Sequence, residues 1–101
     1  MYMFEITGIF LDTMQSGLPK LQDLINSGDD FDKIHKQAHY LKSSAGIIKI
    51  ADNYENLIKI DTLSQMKSGR EEILDLFNSI QANFNAALPE LLDIREKNKP
   101  A

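Results

Sequence analysis

The chain has 101 residues, 43% hydrophobic and 26% charged, with a net charge of −4 and no cysteine. That length fits one domain, residues 1–101, with a modest core, and the missing cysteines exclude a disulfide framework and a thiolate metal site. The eleven basic residues are scattered, which argues against nucleic acid as a partner, and no run approaches the ~20 apolar residues needed to span a bilayer. The Met-Tyr-Met-Phe-Glu start has no basic segment leading into an apolar run, so a cytoplasmic location without membrane contact is expected.

Four helical segments follow in chain order. In the first, Phe10, Met14, Leu18, Leu21 and Ile25 recur at intervals of three or four, and Asn26-Ser27-Gly28 stops the run. Pro19 is expected to kink it. The second opens at Gly28-Asp29-Asp30, where a short carboxylate can cap free amides, and places Phe31, Ile34, Ala38, Leu41, Ala45 and Ile48 on one stripe. The third is expected from Asp52, which with Glu55 has capping-box spacing, and it carries Tyr54, Leu57, Ile58 and Met66 as partly buried residues. Ser68 and Glu71 repeat that spacing ahead of the fourth, where Ile73, Phe77, Ile80, Phe84, Ala87, Leu91 and Ile94 form a stripe and Pro89 is expected to bend the helix. Short connections favour antiparallel neighbours, so the expected fold is an all-α, up-and-down four-helix bundle, monomeric in solution.

The chain has two histidines, His35 and His39, both in the second segment. At about 100° per residue, His39 lies roughly 80° outside the apolar stripe and faces solvent. Asp32, His35, Lys36, Lys42, Ser43 and Gly46 share that outer face, and the small Ser43 and Gly46 leave room for another protein. A lone outward histidine is by default a solvated surface residue. His35 and His39 have the i, i+4 spacing of a zinc pair, but no third or fourth ligand is signalled, and no metal site is expected.

The stretch "AHYLKSSAG", residues 38–46, resembles the signature of the histidine-containing phosphotransfer, or HPt, family. The likeness extends over roughly residues 5 to 95, taking in the preceding helix, the glycine-acidic turn and the aromatic start of the second helix. It implies that His39 accepts a phosphoryl group from an aspartyl phosphate on a response-regulator receiver domain and passes it to another receiver in a two-component phosphorelay. It implies further that Lys42 steadies the phosphoryl charge, and that Asp32, His35, Lys36, Ser43 and Gly46 border the docked receiver. Such a domain is a phosphoprotein carrier, free-standing or linked to a hybrid sensor histidine kinase, and it needs no cofactor of its own because Mg2+ sits on the receiver. No glycine-rich phosphate loop or nucleotide signature is present, so the chain is not expected to be a kinase.

Two positions depart from the family pattern. Ser43 stands where glycine is commonest, and Lys49-Ile50 replaces a glycine-alanine pair. The added hydroxymethyl group either narrows access to the imidazole or hydrogen-bonds the phosphoryl oxygens, and the second change alters how the helix ends. The alternative from another class is a helical docking module that keeps the bundle but no longer transfers phosphate.

Overall fold

The computed structural model describes residues 2–28 and 30–99, with the side chains of residues 2 and 3 left aside. Four helices account for the fold: α1 (Tyr2–Ser27), α2 (Phe31–Ile47), α3 (Asn53–Gln65) and α4 (Arg70–Lys97), and no strand occurs among the described residues. Each helix packs on its chain neighbours, and α1 also packs on α4, which closes a four-sided bundle of 49 × 20 × 20 Å. At 1.5 Å per residue, α1 and α4 run for about 40 Å each, so they set the long axis.

The sequence stripes become one core. Phe10, Met14, Leu18, Leu21 and Ile25 of α1 meet Ile34, Ala38, Leu41 and Ala45 of α2, Leu57 and Ile60 of α3, and Ile73, Phe77, Ile80, Phe84 and Leu91 of α4. Gly17 lets α1 and α2 approach closely, because a Cβ there would collide with the Leu41 side chain. The buried Gln37 amide uses the same approach, donating to the Gly17 carbonyl at 3.0 Å.

The helix ends separate what the sequence signals well from what it does not. Gly28 takes φ +75° just past α1, as a C-terminal glycine should. Asp30 caps α2, its Oδ1 accepting from the amides of Asp32 at 2.9 Å and Lys33 at 3.4 Å, while Asp29 of the expected turn lies outside the described residues. Neither expected capping box forms. Asp52 precedes α3 without a side-chain cap bond, and α4 starts from Gly69 in the left-handed conformation, so Ser68 is displaced from the cap position. Both prolines lie inside continuous helices, since α1 runs through Pro19 and α4 through Pro89. Each is exposed, so the carbonyl that loses its amide partner can turn to water.

The inner face of α3 also differs from expectation. Ile58 and Met66 are exposed, whereas Asn53, Asn56, Asp61 and Ser64 are buried beside Leu57 and Ile60. These polar groups find partners: Asn53 Nδ2 donates to the Ile80 carbonyl at 3.2 Å, and Asn83 Nδ2 donates to Asn53 Oδ1 at 3.0 Å.

The α2–α3 turn holds a non-glycine residue in the left-handed region. Ile50 packs on the core, its carbonyl accepts from the Asn53 amide at 2.9 Å, and Ala51 is forced to φ 44°. An L-residue pays about 1–2 kcal/mol in that region, part of which glycine returns through its freer unfolded state. Because Ala51 is exposed and contributes no packing, Ala51→Gly should stabilise the bundle by roughly 0.5–1 kcal/mol in urea unfolding. A destabilised variant would show that the turn is unstrained.

Candidate functional site

The site is built by α2 lying against α3. Burial of Ile34, Ala38, Leu41 and Ala45 fixes the rotation of α2 and leaves His39 pointing outward, with its side chain 63% exposed. Beneath that ring, Leu57, Asp61 and Ser64 share one face of α3 and turn a carboxylate toward α2, with the Asp61 side chain only 8% exposed.

Two oxygens of Asp61 divide four neighbours between them. Oδ1 pairs with Nδ1 of His35 and accepts from Nε2 of Gln65 at 3.3 Å. Oδ2 lies 3.7 Å from Nδ1 of His39 and 3.6 Å from Nζ of Lys42. Burial disfavours the charged form of Asp61, but hydrogen bonds from His35 and Gln65 and the charges of His35 and Lys42 outweigh it, holding the carboxyl below the usual carboxylate range. Asp61 is therefore an ionised, acceptor-only group at neutral pH, so the His35 nitrogen that meets it carries the hydrogen. At 3.7 Å His39 Nδ1 stands just beyond hydrogen-bond range of Oδ2.

The residues singled out on the outer face do not all share one environment. Asp32, Lys36 and Ser43 are exposed, with Ser43 one turn beyond His39. Lys42 and His35 are instead half-buried in the α2–α3 seam, held by Asp61. Gly46 is exposed but sits against α3, where an added Cβ would lie 3.2 Å from the Tyr54 ring. A bulky residue at position 46 would therefore displace Tyr54 as well as crowd an approaching partner. No group of three or more histidine and acidic residues suited to holding a metal occurs among the described residues.

Two parts of the site escaped the sequence reading. One is Asp61, a charged residue in a helix whose inward face is largely polar. Its signal was the i, i+4, i+7 spacing of Leu57, Asp61 and Ser64. The other is an apolar surface beside His39: Ile9 of α1 and Tyr40 and Ile47 of α2 are exposed, and Ile6, Ile9, Phe10, Ser44 and Ile47 line a cleft between these helices. Along α2, His39, Ser43 and Ile47 form a single row one turn apart.

An exposed imidazole on a buried scaffold thus stands over a carboxylate and beside a lysine. The family model described as Hpt domain matches residues 5–93, most of the chain, and the chain belongs to that family of phosphocarrier modules in phosphorelays. No curated protein and no solved structure matches the chain. Among the described residues, no helix is long and apolar enough to cross a membrane.

Proposed function

We propose that the chain carries phosphoryl groups on His39, taking them from the aspartyl phosphate of one receiver domain and delivering them to the aspartate of another. The observation that carries this reading is the exposed His39 ring standing over the ionised Asp61 carboxylate in a chain of the Hpt domain family. Contacts between Gly17 and Gln37, Gly46 and Tyr54, Asn53 and Ile80, and Phe10 and Phe84 support the antiparallel, up-and-down order that leaves the α2–α3 seam open on one side.

The lone pair of His39 Nε2 attacks phosphorus in line with the P–O bond to the receiver aspartate. The N–P bond forms, the P–O bond breaks, and the aspartate leaves as a carboxylate with the electron pair. A neutral imidazole nitrogen is nucleophilic in its own right and needs no strong base for this step. The ring that results carries Nδ1–H and positive charge, which faces Asp61 Oδ2. Lys42, drawn to the same oxygen, is placed to answer the phosphoryl charge. The reverse sequence discharges the ring to a second receiver, its leaving group improved by the proton on Nδ1. Mg2+ belongs to the receiver, and this chain, a cytoplasmic monomer in this reading, contributes no nucleotide site.

The docking surface joins two regions. Asp32, Lys36 and Ser43 supply the polar side, and Ile9, Tyr40 and Ile47 supply apolar area in a modest, transient interface. Ile47→Glu should raise the receiver concentration that half-saturates transfer while leaving labelling by small phosphoryl donors unchanged. Lys42→Ala should leave the acceptor in place but slow transfer by roughly 10- to 100-fold, below the ~10²–10³ of a fully buried oxyanion donor. Rapid-quench kinetics with a phosphorylated receiver measure both, and unchanged rates for Lys42→Ala would remove it from the mechanism.

A further inference from the structure

His35 is the only other histidine, and its ring is spent on the same carboxylate that faces the phosphoacceptor. The geometry points to His35 as a positioning residue: by holding Oδ1 of Asp61 it keeps Oδ2 aimed at His39 Nδ1 and Lys42, and so decides which nitrogen of His39 carries the proton. This inference rests on His39 being the phosphoacceptor.

Asp61 needs an anchor for two reasons. Its carboxylate can turn about its last torsion, and an oxygen that turns away from His39 no longer selects a tautomer. Its burial also works against ionisation, and the opposing contacts are few. From α2 the groups facing it are His35, His39 and Lys42, and from α3 itself there is the neutral Gln65. Among the described residues, no charged group of α1 or α4 pairs with it. Gln65 is exposed and its contact is the long one at 3.3 Å, so it cannot replace the imidazole. The two rings stand 6.2 Å apart between centroids, close enough to share one carboxylate, and Nδ1 of His35 is already committed to Asp61. His35 acts through Asp61.

Two substitutions separate positioning from bulk. His35→Leu keeps side-chain volume and removes the donor, whereas His35→Asn places an amide nitrogen near the position of Nδ1. The experiment follows phosphoramidate labelling of the intact chain from pH 5 to 8, together with 15N NMR of the imidazole nitrogens. In the parent, His39 should be mostly Nδ1–H. In His35→Leu the His39 proton should move toward Nε2 and labelling should slow roughly tenfold, short of the ~100-fold that a 1 Å misplacement can cost.

The pH profile should move as well. Without His35, burial raises the Asp61 pKa, so its carboxylate is lost at higher pH and the acid limb of the rate profile shifts upward. His35→Asn should restore the tautomer and most of the rate. Melting curves establish that both variants are folded, and if the leucine variant unfolds, the asparagine variant with its tautomer signature still decides. Parent-like rate, pH profile and His39 tautomer in His35→Leu would overturn the positioning role. A parent chain that takes no label would overturn the carrier reading instead, while the His39 tautomer would still decide whether His35 positions Asp61.

Discussion

His39→Gln should reduce phosphoryl labelling to background, whether the donor is a phosphorylated receiver or a small phosphoryl compound. The substitution removes the attacking lone pair and leaves an amide that is not nucleophilic at phosphorus. Little else should change, because the side chain is 63% exposed and belongs to no part of the core. Surface replacements of this kind usually stay within about ±0.5 kcal/mol, so helicity and melting should match the parent. In the parent the label should be acid-labile and alkali-stable, as a phosphoramidate is. His35→Gln should still accept phosphate on His39. Label appearing on His35 in the His39→Gln variant would transfer the acceptor role one turn back along α2.

Phe77→Ala should have the largest effect on stability. Phe77 is 1% exposed and is among the largest fully buried side chains, on the inward stripe of α4 between Ile73 and Ile80. Truncation removes a whole ring from water-free surroundings and leaves a cavity that a closed four-helix core cannot easily collapse, at a cost of about 3–5 kcal/mol. Each kcal/mol lowers the melting temperature of a domain this size by roughly 4–8 °C, and a domain of ordinary stability would lose a large part of its margin. Leu74→Ala provides the comparison. Leu74 is three positions earlier on the same helix but exposed, so its loss should cost well under half as much in the same urea titration. Equal costs for the two would place Phe77 outside the sealed core.

Why these two residues could be read from sequence and Asp61 could not is a matter of chemistry. In α1, α2 and α4 the inward stripe is mostly apolar, Thr7 and Gln37 apart, and its helical period identifies Phe10, Leu41 and Phe77 as core and His39 as outward. In α3 the inward face is Asn53, Asn56, Leu57, Ile60, Asp61 and Ser64, so periodicity ranks four of the six with the solvent-facing residues and puts Ile58 and Met66 inside. Those buried polar groups are tolerated because neighbouring helices supply their partners: a carbonyl of α4 for Asn53, and an imidazole of α2 for Asp61. Pairing of this kind depends on residues 26 or more positions away, so the i, i+4, i+7 spacing of Leu57, Asp61 and Ser64 does not by itself reveal the partner. The capping boxes failed for a related reason. The spacing was present, but the turns before α3 and α4 adopt other conformations, with Ala51 and Gly69 at positive φ.

The same distinction applies to the docking face. Lys42 and Gly46 fall on the outer side of a helical wheel drawn for α2 alone, yet α3 is close enough to claim both, one through Asp61 and the other through Tyr54. Ile9 and Ile47 stay exposed because they lie off the stripes that α1 and α2 bury in the core.

The proposed chemistry converges on one atom, Nε2 of His39, and phosphorus-nitrogen correlation NMR on the phosphorylated chain reports it directly. The spectrum should show a single phosphoryl group bonded to His39 Nε2, with the proton of that ring on Nδ1. Phosphorus on Nδ1 or on His35, or a chain that stays unlabelled after incubation with several phosphorylated receivers, would contradict it and favour a docking module that no longer transfers phosphate.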